Sequence, residues 1–210
     1  MTPDDLLTTT RAVRKRLDFD RSVPRSLIEE CLELALQAPN GSNRQQWRWL
    51  IVDDAQLVAK LATIYNDAIE EYSKEYRRAG LADQPGENPA FDRMNESVQY
   101  LAQNFHRAPA LVIPCLRGRM EEQTTFAQAS QWGSIIPAIW SLMLAFRSRG
   151  LGSAWTTVHL HREKEAADLL GIPHEAYTQA GLFPVAFTQG TDFRRGPRRP
   201  AAEVTRWNHW

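Results

Sequence analysis

The chain of 210 residues has no excess of charge of either sign, because its 25 basic and 25 acidic side chains cancel. Long-range attraction to nucleic acid or to anionic membrane surfaces needs a basic surplus, so neither kind of partner is expected. Lysine is scarce, and arginine supplies most of the positive charge. Arginine binds phosphate and carboxylate with a planar fork of donors, but genome base composition also raises its share, so this bias is weak evidence.

Cysteine is almost absent as well. Cys31 and Cys115 both stand among apolar neighbours, which predicts two buried thiols rather than a disulfide, a metal site or a redox pair. The five histidines lack the spacing of zinc sites. His159 and His161 could share one face of a strand, but two ligands make a poor metal site. We therefore expect no metal.

Long hydrophobic segments are missing too. The longest, Ser134 to Phe146, is too short to cross a bilayer and contains Pro137. The first residues, M-T-P-D-D-L-L, hold no basic segment followed by an apolar run, so no secretory signal is visible. These absences predict a soluble, cytoplasmic protein with no membrane partner.

Motifs for nucleotide binding or covalent catalysis are also lacking. The sequence contains no G-x-G-x-x-G or Walker-type loop, and no G-x-S-x-G elbow for a serine nucleophile. Without a protein nucleophile or a metal, difficult chemistry is expected to depend on an organic cofactor.

What is present predicts an α+β fold in a single domain covering residues 1–210. Apolar residues make up 43% of the chain, and helical and strand patterns alternate along it. Thr2 and Pro3 begin a helix. Further helices are predicted for Pro24 to Ala38, Ala55 to about Ala79, Phe91 to Phe105, Thr124 to Arg149 and Arg162 to Leu170. Strands are predicted for Trp47 to Asp53, Ala110 to Leu116 and Gly181 to Thr188, with Ser153 to Leu160 a loop or strand and Gly80 to Pro89 a mobile surface loop.

Three polar clusters lie far apart in the sequence. Arg11 and Arg14 could clamp a phosphate, although a solvated basic face explains a lone R-x-x-R more simply. The segment P-N-G-S-N-R-Q from Pro39 is a turn after a helix, which leaves the amides of Asn43 and Gln45 unexplained. The third cluster, R-R-G-P-R-R-P from Arg194, would by itself be an unstructured basic tail.

The aromatic end of the chain, Trp207 to Trp210, allows two interpretations. It folds back on its own core, or it packs on a partner subunit as an arm. The pattern alone does not decide between them.

Taken together and in order, these segments resemble the nitroreductase family of FMN-dependent oxidoreductases. The resemblance rests on T-T-R-A-V-R, A-P-N-G-S-N-R-Q-Q-W, R-A-P-A-L-V-I-P, G-L-G-S-A-W-T-T and G-P-R-R-P. It implies a sandwich in which helices flank a mostly antiparallel central sheet, four strands of which are completed by a strand from the partner's C-terminal arm. It also implies a homodimer with FMN at the interface, in which a domain-swapped C-terminal arm, residues 191–210, packs on the partner subunit.

The resemblance further implies which residues contact FMN. Arg11 and Arg198 would hold the phosphate, Arg14 would lie near the N1/O2 edge, and Ala12 would lie beside them. Trp155, Thr156 and Thr157 would pass the flavin face and N5. The corresponding loop of the partner subunit would contact the ribityl chain and the ring, through Pro39, Asn40, Gly41, Asn43 and Gln45.

Three departures from the family pattern bear on the site. Thr10-Arg11-Ala12 stands where Arg-Arg-Ser is frequent, so a phosphate-binding hydroxyl is missing. Ile139 and Trp140 replace a frequent Gln-Asn pair, a change that fills space near the cofactor or repacks the dimer helix. We favour repacking, because both residues lie in an apolar stripe in the middle of the helix. The usual K-x-R is Gly196-Pro197-Arg198, so one cation is lost unless Arg194 or Arg195 replaces it.

The expected activity is hydride transfer from NAD(P)H through FMN to an aromatic or conjugated acceptor, nitroaromatic or quinone-like, in a ping-pong cycle that needs no catalytic side chain. The alternatives are a flavin-storing or flavin-sensing module and an FMN-dependent dehydrogenase of a biosynthetic pathway. Acceptor choice is assigned to the stretch from Tyr65 to Pro89, with Tyr72 and Tyr76, and to Trp155 and Phe193.

Overall fold

A computed structural model describes residues 1–78, 89–121 and 123–210. The predicted loop Gly80 to Pro89 lies outside these residues except for Pro89, which begins a helix. The α-helices are α1 Pro3–Thr9, α2 Arg25–Ala35, α3 Ala55–Arg78, α4 Pro89–Asn104, α5 Thr125–Ser148, α6 Glu163–Leu170 and α7 Ala201–Val204. The strands are β1 Leu17–Asp18, β2 Trp47–Val52, β3 Ala110–Arg117, β4 Leu151–Ser153, β5 Tyr177–Gln179 and β6 Phe183–Thr188.

One antiparallel sheet organises the molecule. Its main path runs β1-β6-β3-β2, while β4 pairs with β6 and β5 pairs with β3. The expected α+β sandwich is confirmed, but within the described residues the sheet has six strands where four were expected from one chain. The sequence pattern missed β1 and β5, and it placed a loop or strand at Ser153 to Leu160, whereas β4 ends at Ser153. These three strands are only two or three residues long, too short to show alternation.

β3 is central and buried on both faces, as its continuous apolar run predicts. Side chains alternate across it because successive residues of a strand point to opposite faces. Val112 and Leu116 join a core with α2 and α5, whereas Leu111 and Ile113 join a second core with α3, α4 and α6. The sheet is therefore covered by helices on both sides.

Most local predictions are confirmed. Thr2 caps α1 in a reciprocal capping box with Asp5. Both cysteines are free and buried, and burial raises the pKa of Cys31 to about 11 and that of Cys115 to about 12. His159 and His161 do not share the face of a strand, because the chain there forms a 3-10 helix, Val158–Arg162, that buries His159.

The C-terminal segment does not fold back on its own core. Every residue from Pro197 to Trp210 is exposed, and Trp207 and Trp210 are among the most exposed side chains described. This removes one of the two interpretations of the aromatic tail, and packing on a partner stays a prediction. Within the described residues, no helix has both the length and the apolar character to cross a membrane.

Candidate functional site

The first cleft, of about 340 Å³, lies where the segment between α1 and β1 passes α4 and the start of the C-terminal tail. Val13 fixes this segment, since its side chain is buried and its amide donates to the carbonyl of Ser153 at 2.9 Å. The cleft is lined by residues 11–16 and 192–194 together with Ser97 of α4. Arg11, Ala12 and Arg14, expected at a cofactor, thus share one cleft.

Arg14 is a partly buried cation in this cleft. Its Nη1 donates to Oγ of Ser97 at 3.3 Å, and burial lowers its pKa. Tyr65 interacts electrostatically with Arg14 but is itself buried, and this burial raises the pKa of Tyr65 to about 12 and keeps the phenol neutral. No ion pair joins Arg14 to a carboxylate in the described part of the chain, so its charge is left without compensation.

Arg11 and Arg198 converge although 187 positions separate them in the sequence. A Cβ built on Gly196 would lie 2.5 Å from Nη2 of Arg11 and 3.0 Å from Nη1 of Arg198. Both side chains are exposed, and Arg198 donates only to the carbonyl of Pro197 among the described residues. Two adjacent guanidiniums repel each other unless an anion lies between them.

The neighbouring cations differ because they are already paired. Lys15 contacts Glu96 at 3.1 Å, and Arg16 contacts Asp192 at 2.7 Å. Of the two candidates for the missing C-terminal cation, Arg194 lines the cleft and Arg195 does not. In this cleft, therefore, Lys15 and Arg16 are paired with carboxylates, whereas Arg11 and Arg14 have no carboxylate partner among the described residues.

The second cleft, of about 160 Å³, shares no lining residue with the first. It lies between the loop after α2 and the N-terminal half of α5, and contains Asn40, Gly41 and Gln45. Gly41 brings the loop against the helix: its amide donates to Oγ of Ser134 at 2.9 Å, and a Cβ there would lie 3.1 Å from Oγ of Ser130. Pro39 and Asn43 are exposed beside this cleft without lining it.

The loop backbone is strained. Ser42, Asn43 and Gln45 have φ angles of 53°, 51° and 50°, in the left-handed region that favours glycine. Asn40 stabilises this shape by accepting the amide of Gln45 at 2.9 Å, and Gln45 donates to Asn43 at 3.2 Å. Backbone strain of this kind clusters at ligand sites.

The third predicted segment, Trp155 to Thr157, lines neither cleft. Thr156 is buried, and both its amide and its hydroxyl donate to the carbonyl of Leu182, at 3.2 and 2.5 Å. The amides of Trp155 and Thr157 donate to no acceptor in the described ranges. Because alternate amides of an extended segment point in opposite directions, these two are the free donors, and the amide of Thr156 is not.

The deciding comparison is the family model described as Nitroreductase family, which matches residues 7–187. The chain belongs to this family. A relative from Archaeoglobus fulgidus, provisionally named NADH dehydrogenase/NAD(P)H nitroreductase, is 22% identical over 170 residues, covering 80% of this chain and 75% of that protein.

Solved structures share the nitroreductase fold. Iodotyrosine deiodinase bound to FMN and 3-iodo-L-tyrosine aligns with a TM-score of 0.72 at 21% identity, covering 99% of both chains. The FMN-dependent nitroreductase NfnB from Mycobacterium smegmatis, in complex with NADPH, aligns with a TM-score of 0.69 at 21% identity, covering 98% of this chain and 97% of that one.

In this member of the nitroreductase family, several aromatic residues assigned to acceptor choice have other contacts. Tyr65, where the stretch assigned to acceptor choice begins, is 2% exposed and stacks on Phe105 at 4.4 Å, so its ring packs in the core. Trp155 donates its indole N–H to Ala180 at 2.9 Å and packs on Phe183. Tyr72 is exposed on α3 near His161. The side chain of Tyr76 lies outside the described residues.

Sequence reasoning missed the serines of both clefts. Ser97 contacts Arg14, and Ser130 and Ser134 hold the strained loop against α5. Small polar residues on an otherwise apolar helix such as α5 are a signal that could have identified Ser130 and Ser134. Ser97 carries no comparable signal, because α4 is polar over much of its surface.

An uncharged stripe of the long helix α5 faces outward. Ile139 is fully buried in the core, as repacking predicts, whereas Trp140 is 37% exposed. Gly133 lies on the same outer face, with nothing within 4 Å of the position of a Cβ. The exposed members of the stripe, three to four residues apart, are Phe126, Ala129, Gly133, Ile136 and Trp140.

Proposed function

We propose that this protein is an FMN-dependent oxidoreductase that transfers hydride from NAD(P)H to an aromatic or conjugated acceptor, nitroaromatic or quinone-like, with donor and acceptor alternating at one site. The convergence of Arg11 and Arg198 on Gly196 carries the proposal. In a chain with no net charge, two adjacent cations without a carboxylate partner in the described residues form an anion site.

The donor set of the first cleft fits FMN. Arg11 and Arg198 would hold the phosphate, and Arg194 supplies a further cation in place of the missing lysine. Arg14, partly buried and uncompensated, would lie at the N1/O2 edge of the ring, where a fixed positive charge stabilises the reduced anion. When bound, FMN would supply a ring that takes up hydride from one substrate and gives it to the next.

No side-chain acid or base is assigned a catalytic role. The protein's part is to hold the ring edge with Arg14, to offer the free amide of Trp155 or Thr157 toward N5, and to keep water from the reacting face. The amide of Thr156 is omitted from this set because Leu182 already accepts from it.

A homodimer would complete the site. The exposed stripe on α5 is a surface that a partner subunit would bury. Gly133 lowers the stability of the helix by about 1 kcal/mol relative to alanine, and no contact within the described residues requires a glycine there. We assign Gly133 to the point where the partner's α5 approaches most closely. The partner's strained loop, residues 39–45, would then meet the arginine cleft, and the arm 191–210 would pack on the other subunit.

The test of the activity is spectroscopic. Purified protein should carry bound flavin, bleach on anaerobic addition of NADH or NADPH, and recover its absorbance when a nitroaromatic or a quinone is added. Protein that binds FMN but does not bleach would be a flavin-binding module. Colourless protein that ignores added FMN would contradict the proposal altogether.

The test of the dimer is the oligomeric state of Gly133→Glu, which places a charge in the middle of the stripe. Size-exclusion chromatography with light scattering should show a monomer with weakened FMN binding. Ser148→Glu, at the exposed end of the same helix and off the stripe, is the control and should stay dimeric. A dimeric Gly133→Glu protein would contradict the assigned interface.

A further inference from the structure

The C-terminal tail is attached to the body at one point before it reaches Arg198. Arg16 donates through Nε to the carbonyl of Gln189 at 2.8 Å and pairs with Asp192 at 2.7 Å. Arg147 donates to the carbonyl of Thr191 at 3.1 Å. Beyond Asp192, the hydrogen bonds described for the tail are all local.

Phe193 lies at the centre of this attachment. Cζ of Arg16 is 4.2 Å from the centroid of its ring, and Cζ of Arg147 is 4.5 Å from the same point. Both distances fall within the range in which a guanidinium is attracted to an aromatic face. The ring therefore holds two cations that would otherwise repel each other.

Arg147 depends on this contact more than Arg16 does. It is 7% exposed, its Nε has no partner among the described residues, and no carboxylate pairs with it there. Arg16, by contrast, has Asp192. A buried cation without a counter-ion is costly, so the ring of Phe193 and the carbonyl of Thr191 are what compensate Arg147.

The position of this attachment determines where the tail goes next. Three residues after Phe193 the chain reaches Gly196, where a Cβ would lie 2.5 Å from Nη2 of Arg11, and two residues later Arg198. Gly190, just before the attachment, has a φ of 75°, and a Cβ there would lie 2.6 Å from Nη2 of Arg16. The tail thus leaves the body in one fixed direction.

We propose that Phe193 is a positioning residue: its ring, held against Arg16 and Arg147, fixes the root of the tail and so places Arg198 beside Arg11 for the phosphate of the cofactor. This inference rests on the proposed binding of FMN and replaces the assignment of Phe193 to acceptor stacking. It predicts that Phe193 acts on the phosphate end of the ligand alone.

The test compares FMN with riboflavin, which lacks the phosphate, by titrating flavin-free full-length protein and following flavin fluorescence. Phe193→Leu keeps the apolar volume and removes the aromatic face. Its dissociation constant for FMN should rise about tenfold, while that for riboflavin stays unchanged. Phe193→Trp keeps an aromatic face and should restore FMN binding. Arg147→Met, which removes one of the two cations from the ring, should reproduce the selective loss.

Phe187→Leu is the matched control. Phe187 lies on β6 under another guanidinium, that of Arg21 at 3.5 Å, but before the tail begins. Its substitution should leave the ratio of FMN to riboflavin affinity unchanged. Equal weakening of both flavins in Phe193→Leu, or no weakening of either, would overturn the positioning role. If the parent chain binds neither flavin, the proposed function itself fails.

Discussion

Arg119 and the group of Arg11, Arg14 and Arg198 look alike in the sequence and differ in their partners. Arg119 is 20% exposed and is surrounded by acceptors: two oxygens of Glu163 at 3.1 and 2.7 Å, a carboxylate oxygen of Glu121, and the carbonyls of His174 and Tyr177. Arg11, Arg14 and Arg198 have no carboxylate partner in the described residues. Arg119 therefore stabilises the fold, whereas Arg11, Arg14 and Arg198 are available to a ligand.

This difference distinguishes an arginine that stabilises the fold from one that is free to bind a ligand. A guanidinium whose donors are all occupied by its own chain has no free donor for a cofactor, whereas one held in a cleft without a counter-ion keeps its donors for something else. The residues next to an arginine in the sequence do not show whether it is paired, because Glu163 is 44 positions away from Arg119 and Arg198 is 187 positions away from Arg11. The following predictions test the distinction, from the largest expected effect to the smallest.

Glu163→Ala should cause the largest loss of stability. It leaves the partly buried Arg119 without its main partner and removes the acceptor of the amide of Gln179, at 2.7 Å. Breaking such a pair should lower the free energy of unfolding by about 3 kcal/mol. Urea denaturation measures it. FMN affinity of the folded protein should not change, and a selective loss of flavin binding would contradict the division into two groups.

His159, which contacts Gln179 beside Glu163, should make the free energy of unfolding depend on pH. Burial lowers the pKa of this side chain from 6.5 to about 4, and its Nε2 lies 3.2 Å from Oε1 of Gln179. The unfolded chain therefore binds a proton that the folded protein excludes, and stability falls as pH falls from 6.5 to about 4. The loss approaches about 3 kcal/mol at the acid end.

Urea denaturation at several pH values measures this dependence, and His159→Gln is the comparison. Because glutamine does not titrate, the part of the slope between pH 6.5 and 4 that belongs to His159 should disappear, whatever the variant's stability at neutral pH. A slope identical to that of the parent chain would show that another group titrates there.

Arg11→Ala should act on the ligand and spare the fold. Loss of a charge-assisted contact to phosphate should weaken FMN binding by about 2 kcal/mol, or about thirtyfold. The thermal midpoint of the flavin-free protein should not fall, since the substitution removes a repulsion with Arg198. Arg48→Ala, an exposed cation on β2, is the control. Flavin retained through dialysis as well as in the parent would contradict the phosphate assignment.

The smallest effect is expected at Arg25. Its pair with Asp53 has good geometry, at 2.5 and 2.8 Å, but the arginine is 78% exposed, and exposed ion pairs contribute little. Arg25→Ala should leave both the thermal midpoint and FMN affinity within experimental error. A clear loss of stability would mean that pairing matters at the surface as much as in the partly buried Arg119 network.

Much of the fold could be predicted from local patterns. The continuous apolar run of β3 and the breakers after α2 were sufficient for those elements. The burial of Tyr65, where the stretch assigned to acceptor choice begins, had a signal in the sequence, because Val58, Leu61 and Tyr65 share a helical spacing and all three are buried. The hydrogen bonds from Thr156 to Leu182 could not be predicted from the sequence, because a single bridge between distant segments produces no periodic pattern.

The amino-acid sequence by itself determined the layer order, the two buried thiols and the family, because apolar periodicity, breaker residues and ordered motifs are properties of neighbouring positions. Only the tertiary structure decided which arginines are paired, which amides around Thr156 stay free, and that Phe193 meets Arg16 and Arg147. These depend on contacts between residues tens to hundreds of positions apart, and such contacts exist only when the sheet and helix α5 have brought the segments together.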